Sequence, residues 1–363
     1  MIQKRLFIAA TQQNDGKTTV SLGLIHVFRE RFRSVGFIKP VGQRYVFEHG
    51  HKVDEDSVLI EKVCGMRCSV KDMSPVAIER GFTEKYIKKG DHRKLVDNIV
   101  ASFDRISRRK ELVVIEGTGH AGVGSIFDLS NARVANILDA KVILVTSGGI
   151  GKPIDEIELN MALFEKEGVE VIGVIVNKIV VSKYKKISKM LNLGLKKRGI
   201  DVLGIIPYTP SLSVPTIQHI IEETDIQLIS KRIGVQNKVK NILIGAMSPH
   251  DALGYIEEGS LLITPGDRED LIMTALSMHL LGRYNAISGI ILTGGIMPHP
   301  KIMSLIERTG IPVLFSMEHT YIVASMIHDL AVKIRPEDKE KTVIVKKLIK
   351  KYVNVKKIVE KIA

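Results

Sequence analysis

The chain has 363 residues, long for a single α/β domain and enough to bury two cores. Its composition is ordinary for a globular protein, 45% apolar and 26% charged, and without tryptophan the interior must be filled by Ile, Val, Leu and Met. No run of 18 apolar residues occurs, which excludes a membrane-spanning helix; the formal charge of +13 is dispersed over Arg80–Arg109, Lys183–Arg198 and the tail from Lys333 and forms no aromatic-interleaved nucleic-acid surface. The N-terminus runs straight into an apolar segment without a signal-peptide layout, so a cytoplasmic protein is expected. Cys64 and Cys68, spaced to share a helix face, are two thiols in a reducing compartment and too few ligands for zinc.

The first strand is the run Leu6–Ala9, followed by Ala10–Thr19 (ATQQNDGKTT) and an apolar helix from Val20. Strand, polar loop, Gly-Lys-Thr and helix is the layout of a phosphate-binding loop. Loop and helix N–H groups point at an anion there, and the helix dipole favours negative charge. Asn14, Asp15, Gly16, Lys17, Thr18 and Thr19 are the candidate phosphate ligands, with Lys17 reaching the β/γ-phosphates and Thr18 ligating Mg²⁺. The usual first glycine of the pattern is replaced by Thr11. An ordinary strand–turn–helix corner with a solvated lysine is the competing reading.

Val35–Val41 is a second strand, with Lys39 where it stops. Ligands bind at the carboxyl ends of strands in open parallel sheets, so Lys39 is placed to face the same ligand as Lys17. Gly50–Ser57 is acidic; an Asp there either caps the helix that follows or supplies an oxygen to Mg²⁺. Residues 83–110 read as surface helices. Glu111–Glu116 is a buried strand ending in a carboxylate, the position that holds or orients a metal. The glycine-rich loop Gly117–Ser125 carries His120, either a substrate contact or a surface residue. Strands over 140–145, 169–176 and 203–207 alternate with helices, which predicts a parallel sheet with helices on both faces.

Ala10–Thr19, Lys39-Pro40-Val41, Glu116–Gly119 and the 203–207 strand, in that order, resemble dethiobiotin synthetase and related amidoligase ATPases. The runs KPVGQ (Lys39–Gln43) and EGTGHAGVGS (Glu116–Ser125) resemble more closely the dethiobiotin-synthetase-like N-terminal region of long phosphotransacetylases. The resemblance implies an ATP and Mg²⁺ site in which Lys17 and Lys39 stabilise the transferring phosphoryl group and Thr18, Asp56 and Glu116 hold the metal. It also implies that Asn177, after the 169–176 strand, sits by the base.

Tyr208–Pro215 suits a linker. Strands are then expected over 239–244, 260–264, 287–292 and 311–315. Gly266-Asp267-Arg268 and Thr293-Gly294-Gly295 each follow a strand and resemble the DRTGG domain, a smaller α/β module of interaction or regulation, often dimeric. Either Arg268 and the Thr293–Gly295 backbone converge on an anion, or Asp267 and Arg268 pair with each other or with the backbone and brace the loops; bracing is favoured. The Lys-rich tail has Val343, Ile344, Leu348, Ile349 and Val353 near helical spacing, which predicts a helix docked on its own domain or a partner subunit.

The expected organisation is a P-loop domain over 1–210, a DRTGG domain over 216–335 and a basic helical tail over 336–363. The expected function is ATP/Mg²⁺ binding with ATP hydrolysis or phosphoryl transfer to a small acid, in a homodimer. The alternative is a regulatory nucleotide-sensing or interaction protein with no catalytic activity of its own; besides nucleotide, a small-molecule substrate or effector is the expected partner. An acetyltransferase is not expected, because the acetyl-transfer domain of the long phosphotransacetylases would need more chain than remains.

Overall fold

The apolar runs become strands buried on both faces, as continuous Val/Ile/Leu segments must in a parallel sheet. A computed structural model describes residues 3–281 and 287–363, and the chain divides into two units, 1–209 joined by 334–363, and 210–333. Among the described residues, the first unit holds a six-stranded sheet of β1 (Lys4–Ala10), β2 (Val35–Ile38), β3 (Leu112–Glu116), β4 (Lys141–Ser147), β5 (Val171–Ile179) and β6 (Val202–Pro207). Its order is β6-β5-β4-β1-β3-β2, and every pairing is parallel. Ile8 of β1 lies opposite Glu116 of β3, which puts the loop after β1 beside that carboxylate.

Helix α1 (Lys17–Phe28) follows β1, and its Val20, Leu22, Leu24, Ile25 and Phe28 are buried. A hairpin of Tyr45–Glu48 and His51–Asp54 leads into α2 (Glu55–Cys64). That helix stops at Cys64 because Gly65 takes a left-handed φ of 56°. Cys68 therefore lies beyond the helix, and the two thiols do not share a helical face. Burial pushes the Cys64 thiol up to about 12, so it is a neutral core group. Helix α3 (Gly151–Lys166) connects β4 to β5.

The tail forms two helices, α4 (Lys339–Tyr352) and α5 (Val355–Lys361), separated at Val353-Asn354. It packs on the first unit: Val345 and Ile349 lie against Gly23 of α1, and Val353 against Gly204 of β6. A Cβ on either glycine would overlap those side chains, so the close approach requires glycine. The Asn354 amide donates to Leu203 O (2.7 Å), and Lys346 and Lys350 flank Glu30 (2.9 and 2.8 Å).

The second unit has, among its described residues, a five-stranded sheet of β7 (Gln227–Leu228), β8 (Asn241–Ile244), β9 (Ser260–Pro265), β10 (Ile287–Thr293) and β11 (Val313–Phe315), ordered β7-β11-β10-β9-β8. Only the β7 edge is antiparallel. Leu261 and Ile263 enter one apolar cluster and Leu262 the other, so the sheet is covered on both faces. No helix among the described residues is long and apolar enough to cross a membrane.

Candidate functional site

Gly16 has φ 89° and caps α1 without any side-chain hydrogen bond, which leaves the first N–H groups of the helix open to an outside acceptor. Lys17 begins that helix half-buried, and its ammonium has no hydrogen bond or ion pair among the described residues. Burial pushes the Lys17 ammonium down from its ordinary range, with Glu116 pulling the other way. An unpaired cation over an uncapped helix N-terminus is a place for an anion. Thr18 and Thr19 follow in the same turn, and Thr18 Oγ1 donates to Glu116 Oε1 at 2.9 Å.

The loop is held from beneath. Asp15 is buried; its Oδ2 accepts from Thr11 Oγ1 (2.9 Å) and the Gln12 amide (2.8 Å), and its Oδ1 from Ser147 Oγ (2.6 Å). The Asp15 side chain is therefore a brace and does not turn to a ligand. Asn14 has φ 63°, and its carbonyl accepts from Lys178 Nζ. Asn177 is also committed to the loop: its Nδ2 donates to Asp15 O at 2.9 Å, and its Oδ1 accepts from the Lys178 amide. The resemblance put Asn177 by a base, but here both ends of its carboxamide bind backbone.

Lys39 emerges from the end of β2 into a ring of carboxylates. Its Nζ pairs with Asp54 Oδ1 (2.8 Å) and Asp56 Oδ2, and lies 3.8 Å from Glu116 Oε1. Lys39, Asp54, Asp56 and Glu116 are all at most 5% exposed. Burial opposes the charge on Lys39, but Asp56, Asp54 and Glu116 outweigh it and hold the ammonium well above the usual lysine range. Burial and then Asp56 raise the Glu116 carboxyl. Asp54 also caps α2, accepting from the Asp56 amide at 3.0 Å. The capping and charge-bearing readings of this acidic stretch thus fall on separate residues, Asp54 as the cap and both Asp54 and Asp56 as partners of Lys39.

Mg²⁺ takes hard oxygen ligands and keeps several waters. Thr18 and Glu116 are in contact, and Glu116 Oε2 lacks a hydrogen-bond partner although the residue is fully buried. With Asp56 nearby, these donors fit such an ion. As they stand, however, no three acidic, His or Cys side chains among the described residues are grouped to hold a metal, and Lys39 lies among the carboxylates.

Other candidates lie elsewhere. His120 is exposed, and its Nδ1 accepts from the Gly122 amide in a local turn (3.2 Å). In the second unit, the register Pro265–Thr293 brings the two DRTGG loops side by side, and a Cβ on Gly266 would meet the Ile296 carbonyl. Their polar groups are satisfied by neighbouring segments rather than by one another. Arg268 pairs with Asp270 (2.9 and 3.0 Å) and donates to Gly245 O (3.2 Å) and Met247 O (2.9 Å). Arg268 thus braces backbone, as one form of the bracing reading had it, while its ion pair is with Asp270 and Asp267 is exposed. The Gly294 and Gly295 amides donate to Glu318 O (2.8 Å) and Ser316 O (3.0 Å), and Thr293 shares a hydrogen bond with Thr320 (2.7 Å). The proposed convergence on an anion is corrected for the same reason: the amides it needs are already used.

Sequence reasoning missed Glu156. From α3 it accepts from Gln12 Nε2 (2.7 Å) and lies 3.2 Å from Thr11 Oγ1, tying that helix to the loop. Nothing local in the sequence distinguishes it from a surface glutamate.

The sequence matches the AAA domain family over residues 4–216 and the DRTGG domain over 219–330. A phosphate acetyltransferase of Nitratidesulfovibrio vulgaris is 28% identical over 349 residues, 94% of this chain and 49% of that protein. One from Nitrosomonas europaea is 26% identical over 345 residues, 92% of this chain and 48% of that protein. The chain spans about half the length of these curated relatives. The MinD cell division protein of Aquifex aeolicus superposes with a TM-score of 0.36 at 17% identity, over 58% of this chain and 84% of that one. The relatives overturn the expectation of an ATPase or ATP-dependent ligase that is not an acetyltransferase. Proteins related along nearly the whole chain are named phosphate acetyltransferase, and where a chain ends is no guide to its activity. The match over 4–216 takes in the loop, Lys39, Glu116 and Asn177 alike, and by it the chain belongs to the AAA domain family, with a DRTGG domain following at 219–330.

Proposed function

We propose that the first unit binds ATP with Mg²⁺ at Ala10–Thr19 and that the chain is the nucleotide-responsive part of a cytoplasmic phosphate acetyltransferase activity. The observation that carries this is the unpaired Lys17 ammonium over the uncapped N-terminus of α1, with Thr18 bonded to Glu116 beside it. In this reading the amides of Asn14–Thr19 cradle the phosphates and Lys17 reaches the β- and γ-phosphates. Thr18, Asp56 and Glu116 would hold Mg²⁺, which neutralises phosphate charge, and Lys39 would face the γ-phosphate. Asn177 fixes the loop from below. The DRTGG unit pairs two copies of the chain or takes an effector, and passes nucleotide state on. The relationship to phosphate acetyltransferases over more than nine-tenths of the chain supports the acetyl-transfer part.

Calorimetry with ATP and ADP in Mg²⁺ tests the first half. Lys17→Ala removes a charge-assisted contact and should weaken binding at least about ten-fold. No ATP binding by the native chain overturns the reading. Acetyl transfer to phosphate is then measured with and without ATP. A rate indifferent to ATP, in a chain that binds it, overturns the regulatory half.

A further inference from the structure

Four buried ionisable groups lie around one point in the first unit, one ammonium among three carboxylates. Lys39 Nζ touches Asp54 (2.8 Å) and Asp56 and lies 3.8 Å from Glu116. Buried carboxylates need a cation or a proton, because isolated charge is costly away from water. Glu116 is fully buried, and its Oε2 accepts no well-formed hydrogen bond although the Ser21 hydroxyl lies close to the carboxylate, so this oxygen retains capacity for a ligand. Thr18, the residue that would share a metal with Glu116, already donates to its Oε1. The oxygen donors for a divalent ion are therefore present, and the space among them holds an ammonium.

We propose that Lys39 is the resident cation of this cradle. Its ammonium holds the place of the divalent ion, so that metal enters only together with nucleotide, whose phosphates draw the ammonium off the carboxylates. This rests on the nucleotide reading above and adds an order to it. The exchange leaves neither set of anions without a cation. Before it, Lys39 offsets part of the charge of Asp54, Asp56 and Glu116. After it, the metal offsets more of that charge and Lys39 is released to the phosphate. A lysine suits this role because its four-carbon stem can swing a compact charge between two anions, which a planar guanidinium cannot do in the same space. The metal-free, nucleotide-free chain thereby keeps a cation against its three buried carboxylates, and it does not capture divalent ions on its own.

The test uses Mn²⁺ as the probe, followed by the paramagnetic signal of the free ion and by calorimetry, on the full chain without nucleotide. Native chain should bind Mn²⁺ weakly. Lys39→Met removes the competing charge and should bind it about 100-fold or more tightly. Lys39→Met with Glu116→Gln should lose that gain. The Lys39→Met chain should also unfold at lower temperature in chelator and recover with Mn²⁺, a recovery the double variant lacks. Equal Mn²⁺ affinity of native and Lys39→Met chains overturns the proposal, as does a gain that survives Glu116→Gln. If Lys39→Met does not fold even with Mn²⁺, the native chain still decides: tight nucleotide-free Mn²⁺ binding that Glu116→Gln abolishes shows an open cradle and overturns the proposal, and weak binding that Glu116→Gln leaves unchanged supports it. ATP titrated into the same native sample separates the two readings. Absence of ATP binding overturns the function proposed above, whereas the Mn²⁺ gain of Lys39→Met does not depend on it.

Discussion

Thr11 stands where the usual phosphate-binding loop has glycine, and its surroundings say why. Its backbone is not in the left-handed region, so glycine is not required there. Its side chain is 2% exposed, and the hydroxyl lies 2.9 Å from Asp15, 2.8 Å from Thr146 and 3.2 Å from Glu156. Restoring the family glycine should therefore harm the loop. Thr11→Gly should destabilise the first unit by about 1–3 kcal/mol, because buried acceptors lose a partner and the loop gains freedom when unfolded. Thr11→Ser should retain most of the stability. Thermal unfolding of both variants checks this, and equal melting temperatures for Thr11→Gly and native chain would count against the network. Gly16 behaves oppositely. At φ 89°, with the Asn177 side chain against the space a Cβ would fill, Gly16→Ala should strain the loop by about 1–3 kcal/mol and weaken nucleotide binding in the calorimeter.

The tail carries the argument at the scale of elements. Val345 and Ile349 are at most 1% exposed, so α4 belongs to the core of the first unit as fully as α1 does. Ile349→Ala should cost about 2–5 kcal/mol in a denaturant titration, the range for a buried large-to-small change. The polar ties respond to pH. Lys350 and Lys346 hold the Glu30 carboxyl down to about 2. A carboxyl lowered on folding adds stability that is complete above its unfolded value of 4.5 and is lost as pH falls towards 2. Tail protection in hydrogen exchange should fall over that interval, and less so in Glu30→Gln. Because these side chains are open to solvent, salt should weaken the tie. The same elements show what the sequence made legible. Strand, Gly-Lys-Thr, helix and the Lys39 and Glu116 strand ends could be read because each is a local pattern. The pairing of Asp54 with Lys39 and the role of Glu156 could not, since an acidic residue gains such a role from which distant lysine or loop it meets. For Arg268 the backbone alternative could be read but its ion-pair partner could not, since the turn after β9 sends the guanidinium towards Asp270 and two carbonyls. The tail stripe was drawn through Val343, which is 52% exposed, because a stripe read without its partner helix can be rotated by a residue or two.

At the scale of the whole chain, the connectivity sets an expectation about cooperativity. The first unit is left at residue 209 and rejoined at 334, so the second is an insertion between β6 and the tail. Each unit has its own sheet and its own buried side chains: Phe7, Phe28, Phe37 and Phe164 in the first, Leu262, Ile272, Ile290 and Val313 in the second. Separate cores favour separate unfolding transitions. Scanning calorimetry of the full chain should resolve two. ATP with Mg²⁺ at one hundred times its dissociation constant should stabilise one of them by about 2.7 kcal/mol and leave the other in place. Ile349→Ala should lower that same transition, because α4 packs on the nucleotide-binding unit. Leu262→Ala should lower the other. If one transition moves with both substitutions, the units unfold as a single body. If ATP shifts the transition that Leu262→Ala lowers, nucleotide binds in the DRTGG unit, and the assignment of the ligand to the loop after β1 fails.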